Sequence, residues 1–280
     1  MKIKLEQVTD RLAGHGEGPA WDAATGRLHW VDMLAGDMLS IDPDGGAVTR
    51  TPVSSVVCAV RPRRGGGLVL AVERGFALLD PGAAAPLILP ELWPAGSVRM
   101  NDGGCDPLGR FYCGSMATDE STGAGKLYRL DADLTVTVVL DGVTISNGLA
   151  WSRGGGTAYY VDSATQRIDQ FTGDLADRRP FVTVPKEAGT PDGLCLDAEG
   201  GVWVALWDGG AVHRYGPDGS LDAVIPMPVT RPTACAFGGP DLADLYITTS
   251  RPSADDPKPS GALFRARPGV TGFADYGFAG

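Results

Sequence analysis

Self-similarity constrains this chain more than any other property. The stretches "EGPAWDAATGRLHWVD" (17–32), "NDGGCDPLGRFYCGS" (101–115), "NGLAWSRGGGTAYYVD" (147–162) and "DGLCLDAEGGVWVALW" (192–207) share one plan. Each opens on a polar residue and a glycine, runs through a short apolar stretch, turns at or near glycine, and ends in an apolar strand. "VVCAVRPRRGGGLVLAV" (56–72) and "TACAFGGPDLADLYITTS" (233–250) are weaker copies. A second hairpin pattern follows each copy, as in "DMLSIDPDGGAV", "GKLYRLDADLTV" and "GALFRARPGV". The copies recur every roughly 40–46 residues, and each is worth about four strands. That period predicts an all-β chain: one six-bladed β-propeller over residues 1–280, four antiparallel strands per blade, with no long free sheet edge. A two-domain αβ arrangement needs helical segments that are absent. A β-sandwich does not require a fixed internal period.

The repeat also aligns single residues. The turn after the first strand of each copy falls at Asp22, Arg61, Asp106, Ser152, Asp197 and about Gly238. Five residues earlier stand Glu17, Val56, Asn101, Asn147, Asp192 and Thr233. In a propeller, equivalent positions are related by rotation about the central axis, so side chains in this slot converge if it lies near the inner mouth. Taken singly, Glu17, Asn101, Asn147 and Asp192 read as turn or capping residues. Taken in register they are four oxygen donors aimed at one point. Convergent carboxylates resist ionising together unless something neutralises them. A divalent cation at the axis does so, and oxygen-only ligands suit hard ions such as Ca²⁺, Mg²⁺ or Mn²⁺.

Other features are plainer. The net charge of −10 argues against nucleic acid, whose phosphates need clustered Lys and Arg. The one basic cluster, "RPRR" (61–64), reads as a solvated turn. The N-terminus has no apolar signal core and no run is long enough to span a bilayer, so a cytoplasmic chain without membrane partners is expected. Cysteines 58, 105, 113, 195 and 235 lack C-x-x-C spacing and read as buried reduced thiols. There is no G-x-S-x-G elbow. "GHGEGP" (14–19) misses the dinucleotide pattern, and "DPDGG" (42–46) is a turn lacking the later calcium-loop ligands. His15, two residues before Glu17, is within reach of the mouth but reads first as a solvated loop residue. Trp30, Trp203 and Trp207 read as strand packing rather than sugar-stacking groups.

The motifs "GEGPAW", "RMNDG", "DPLGRFYCGSM", "ISNGLAWS", "PDGLCLDAEGGVWVALWDGG" and "CAFGG", in this order over essentially the whole chain, resemble the senescence-marker-protein/gluconolactonase/regucalcin family. The resemblance implies a six-bladed propeller with a divalent metal at its axis, and for many members hydrolysis of sugar lactones. Carried over by motif, the metal ligands fall on Glu17, Asn147 and Asp192, with Ca²⁺ the first choice and Mn²⁺, Zn²⁺, Mg²⁺ or Fe²⁺ as alternatives. Substrate contacts fall on Arg99 and Asn101. A further substrate-contacting acid, counted from Met116, falls on Asp119, with Glu120 next to it. Asp192 is then both ligand and general base. Arg99 holds hydroxyls or stabilises negative charge on oxygen, and Asp102 steadies the loop. Two other readings share the scaffold: a propeller esterase or phosphotriesterase using the same metal, and a non-catalytic calcium-binding regulatory propeller.

Overall fold

The computed structural model describes residues 3–43 and 45–280. Its strands form six four-stranded antiparallel sheets, which we number as blades in chain order. The first strands are Gly16–Asp22, Val57–Pro62, Val98–Cys105, Ser146–Trp151, Thr190–Leu196 and Pro232–Gly238 for blades 1 to 6. Each packs against the first strand of the next blade, and the sixth packs against the first, so these strands line the axis of a closed ring. Among the described residues the only helical pieces are three single 3₁₀ turns, and no helix is long and apolar enough to cross a membrane.

The turns follow from their side chains. Asp106 Oδ1 accepts the backbone N–H of Leu108 (3.0 Å) and Arg110 (2.9 Å), and Asp197 Oδ1 accepts those of Glu199 (3.0 Å) and Gly201 (2.8 Å). These Asx-type turns make the hairpin after the first strand in blades 3 and 5. Asp197 also takes Trp203 Nε1 (2.9 Å) and Arg214 Nε (2.7 Å), tying the turn to the next two strands. Between blades, alternating apolar residues of neighbouring sheets interdigitate, giving extended clusters such as the one around Val60, Leu70, Phe111 and Leu130.

Two expectations change. "GALFRARPGV" supplies only one strand, Phe264–Ala266, and the outermost strand of blade 6 is Leu5–Gln7 from the other end of the chain. Beyond Ala266 the chain instead passes beneath the ring. Thr271 O accepts Ala198 N (2.8 Å), Tyr276 Oη reaches Ser152 O (3.0 Å), and Phe278 N donates to Pro62 O (2.9 Å). "RPRR" is a solvated turn only at Arg64. Arg61 lies in the first strand of blade 2, where its guanidinium donates to the carbonyls of Val60 (2.7 Å) and Gly103 and stands 4.0 Å from Asp102. Buried carbonyls and a buried carboxylate need donors, and this arginine provides them. All five cysteines are free and buried, as expected.

The first strands run the same way along the axis, so successive residues mark depth. Cys105, Leu149, Leu194 and Ala236 lie beyond the slot residues and line a cavity of only about 40 Å³ that Phe273, Asp275 and Tyr276 cap. The ring is therefore plugged at that end, and the slot end is the open one.

Removing the Asp197 carboxylate strands four donors, one a guanidinium. Asp197→Ala should destabilise the protein by about 3 kcal/mol, as for a buried ion pair that loses one partner. Urea unfolding followed by tryptophan fluorescence measures this; an unchanged midpoint would show that the turn holds without its acid.

Candidate functional site at the axis

Every first strand carries a β-bulge next to the slot: the pairing register shifts between Glu17 and Ala20, Val57 and Ala59, Met100 and Gly103, Ser146 and Leu149, Pro191 and Leu194, and Pro232 and Cys235. A bulge bends the strand and re-aims side chains. It recurs in every blade, and five residues before the turn falls inside it at Asn101, Asn147, Asp192 and Thr233 and just before it at Glu17; in blade 2 the bulged residue is Cys58, not the expected Val56, which precedes the strand. Glu17, Asn101, Asn147, Asp192 and Thr233 are all buried.

Slot residues also stitch the blades. Asn101 Nδ2 donates to Ser146 O (2.7 Å), the carbonyl just before Asn147. Thr233 Oγ1 donates to Gly16 O (2.6 Å), just before Glu17. Asn147 Nδ2 donates to Ser163 Oγ (2.9 Å), which donates to Pro191 O (2.7 Å), just before Asp192. The Cys58 thiol reaches Met100 O (3.0 Å), just before Asn101. Each bond fixes the slot of the following blade.

A cavity of about 390 Å³ opens here, with Glu17, Arg99, Asn101, Asn147 and Asp192 in its wall. All five slot and strand residues singled out from the sequence are thus brought together. The acid after Met116 divides differently. Glu120, at φ 58°, lines the cavity, whereas Asp119 does not line it, is fully exposed and accepts Ser121 N (3.1 Å). Left-handed backbone at Glu120 turns this loop back over the mouth.

The electrostatics at the floor are unbalanced. Burial, then the charge of Asp192 and then that of Asp102, push the Glu17 carboxyl well above its usual value of 4.5. Burial and the charge of Asp102 push Asp192 well above 3.8, offset in part by the amides of Asn147 and Gly193. Asp102 is raised by burial, with Arg61 and Gly103 N–H pulling back. Among the described residues no Lys or Arg forms an ion pair with Glu17 or Asp192. Asn147 Oδ1 is buried without a hydrogen-bond partner. Two buried carboxylates without a Lys or Arg partner, Glu17 having only the neutral His15 imidazole at 4.0 Å and Gly18 N–H at 3.0 Å, and an orphaned amide oxygen fit a hard divalent cation, which takes oxygen ligands and would supply the missing positive charge.

Sequence reasoning missed several residues. Asp32 Oδ1 accepts Gly14 N (3.0 Å) and His15 N (3.1 Å), and Asp162 accepts Thr144 N (3.1 Å) and Ile145 N (2.9 Å). Each holds the loop that leads into a slot. The shared ending of "HWVD" and "YYVD" was their signal. His15 is not a solvated loop residue: half-buried, it lines the cavity with Nδ1 2.8 Å from Ser250 Oγ, and burial, then the charge of Arg99, lowers its pKa to about 4. Trp207 also lines the cavity rather than only packing in its strand; Trp30 and Trp203 are buried packing residues.

The raised carboxylates predict a pH dependence for cation-free protein. Unfolded, they titrate near 4.5 and 3.8; folded, they hold their protons to higher pH. Between those limits the folded state binds more protons, so stability falls as pH rises. Chelated protein should gain melting temperature as pH drops from about 8 toward about 5, less what the lowered His15 takes away, and Glu17→Gln with Asp192→Asn should remove most of that gain, Asp102 keeping a part. Calorimetry across this range decides it; a gain that survives both substitutions undiminished assigns the effect to other groups.

Comparisons with known proteins agree with the fold and the motifs. The signature of the SMP-30/Gluconolactonase/LRE-like region matches residues 15–251. The chain is 34% identical over 290 residues to the pentonolactonase XacC of Haloferax volcanii, covering 98% of each. It is 34% identical over 296 residues to regucalcin of Oryctolagus cuniculus, covering 99% of each. The crystal structure of a calcium-binding protein, regucalcin, from Agrobacterium tumefaciens superposes with a TM-score of 0.91 at 26% identity, over 99% of this chain and 98% of that one. With the match running through every blade and through the residues around the axial cavity, this chain belongs to the SMP-30/gluconolactonase/LRE-like family.

Proposed function

We propose that this protein is a lactonase that hydrolyses a sugar lactone to the aldonic acid with the aid of one divalent metal ion. The observation that carries the reading is the floor of the cavity, where Glu17 and Asp192 are buried without a cationic partner beside the orphaned Oδ1 of Asn147. The pentonolactonase relative supports the substrate class, and the calcium-binding relative supports the ion, with Ca²⁺ ahead of Mn²⁺, Zn²⁺, Mg²⁺ or Fe²⁺. Glu17, Asn147 and Asp192 would hold it. When bound, such an ion supplies Lewis-acid polarisation of the ester carbonyl and makes water more acidic.

The chain's residues do the rest. Hydrolysis forms a bond between water oxygen and the acyl carbon and breaks the bond from that carbon to the ring oxygen. Asp192 accepts the proton of the attacking water and returns it to the ring oxygen as the ring opens. Arg99 Nη1 donates to Asn101 Oδ1 (2.7 Å) and to Met100 O (2.9 Å), so the guanidinium is fixed at the wall with its other N–H groups left for substrate hydroxyls. Asn101 is engaged through both its oxygen and its nitrogen, so its main task is to position Arg99. Glu120, rather than Asp119, is the acid placed to accept from a hydroxyl.

A panel of aldonolactones, assayed after chelation and after adding back single metals, tests this reading. Chelation should abolish turnover and lower the melting temperature, because a ligand held only by the folded state stabilises it. Full turnover in rigorously metal-free protein refutes the metal. Asp192→Asn keeps shape and an oxygen but loses charge and basicity; it should cost at least about 10²-fold in kcat, the scale of general-base catalysis, while folding is retained.

Arg99→Ala should lower kcat/KM on sugar lactones by about 10-fold or more, one charge-assisted hydrogen bond's worth, with a smaller effect on an unsubstituted aliphatic lactone. Metal affinity should hold, since the guanidinium is not a ligand. Equal loss on both substrates, or loss of metal, would remove Arg99 from the specificity role.

A further inference from the structure

In a six-membered ring blade 3 stands opposite blade 6. Blade 3 brings Arg99, Asn101 and the Glu120 loop to the cavity. The facing wall is different in kind. Trp207 ends the second strand of blade 5, and His15 immediately precedes the first strand of blade 1, so both flank blade 6. Their rings meet over it, with centroids 5.7 Å apart and planes inclined at 47°. Blade 6 itself fixes both. Ser250, beside the end of its second strand, holds His15 Nδ1 at 2.8 Å. Arg231, next to its first strand, places its guanidinium 5.3 Å from the centre of the Trp207 ring. Arg231 is locked in turn by Asp208 (2.7 Å) and Asp256 (3.2 Å). An indole that only filled space would need no such clamp, and Trp207 is half-buried in a wall that the cavity reaches.

Building on the lactonase reading, we propose that Trp207, clamped by Arg231 and His15, is the platform for the C–H face of the substrate ring and sets which epimers are accepted. The chemistry is complementary across the axis. Hydroxyls need the donors and acceptors of blade 3. The C–H groups between them, polarised by their oxygens, suit the electron-rich face of an aromatic ring. A lactone whose hydroxyls all turn toward blade 3 satisfies both walls. An epimer that points one hydroxyl at the indole face, away from His15 and Asp208 in the same wall, leaves that hydroxyl desolvated without a partner, which is penalised. Trp207 thus discriminates by what it refuses to bond, Arg99 by what it bonds. Arg231 and His15 are positioning residues.

The test uses metal-loaded protein, a series of epimeric aldonolactones, and the variants Trp207→Leu and Trp207→Phe. Trp207→Leu keeps apolar bulk but removes the π-face. It should compress the spread of kcat/KM across the epimers by about tenfold, chiefly through KM, and Trp207→Phe should retain most of the spread. A second readout does not need turnover: an unreactive cyclic polyol should change the intrinsic fluorescence of wild-type protein, and the change should vanish in Trp207→Phe, which lacks the reporting indole. An unchanged epimer spread in folded Trp207→Leu, or a polyol response that survives in Trp207→Phe, overturns the platform while leaving lactone hydrolysis intact. If no aldonolactone is turned over by the wild-type protein, the lactonase reading fails instead, and the fluorescence response alone decides whether Trp207 meets a polyhydroxylated ring.

Discussion

The first strand of each blade is buried on both sides only because the neighbouring blades are in place, so the ring must close before any of it is stable. Closure rests on the antiparallel pairing of Leu5–Gln7 with Phe264–Ala266, which joins the two ends of the chain in one sheet. Val8 N and Thr9 N continue the seam by donating to Leu263 O. The inner edge of each sheet is then short and covered by the first strands of its neighbours. Closure also fixes the diameter of the axis, and with it the distance between groups that no local interaction could hold apart.

That fixed diameter is what makes two unpaired carboxylates tolerable. Glu17 and Asp192 come from blades 1 and 5, and each is anchored in a bulged strand whose preceding carbonyl accepts a bond from another blade. Neither can swing away from the other without breaking that strand's pairing. The effect of burial first, and then of the nearby charge of Asp192 and Asp102 on Glu17 and of Asp102 on Asp192, is stored in the folded state as raised proton affinity, which a hard cation would relieve. The stitching side chains are a fold device first; Asn101 and Asn147 use their nitrogens for the ring, the Asn101 oxygen holds Arg99, and only the Asn147 oxygen is left without a partner.

The plugged end gives the axis a direction. Phe273, Asp275 and Tyr276 cap the narrow cavity below, while the loops before and after the inner strands surround the open mouth. On the proposed reading, substrate enters from that side only, and its two faces meet different walls, one carrying Arg99, Asn101 and Glu120 and the other His15 and Trp207. A rigid ring can hold such an asymmetry because opposite walls come from blades far apart in sequence.

Local signals in the sequence determined the blades, the turns and the slot. The period, the Asp-centred turns and the Gly-rich bends are each written within a few residues, and a bulge recurs within a residue of the same offset, so Glu17, Asn147 and Asp192 could be aligned from the turn alone, whereas blade 2 was misread by two residues. Contacts between distant segments were decided only by tertiary structure. Leu5–Gln7 carries no mark of the blade it joins, since a strand's partner is set by ring closure and not by its own residues. Arg61 looked like part of a basic turn because nothing nearby in sequence shows that Asp102 and the Gly103 carbonyl lie beside it. Glu120 prevails over Asp119 at the cavity through one left-handed backbone conformation, which residue counting does not register. His15, Trp207 and Arg231 belong to three blades, and only the closed ring brings an imidazole, an indole and a guanidinium together as one wall.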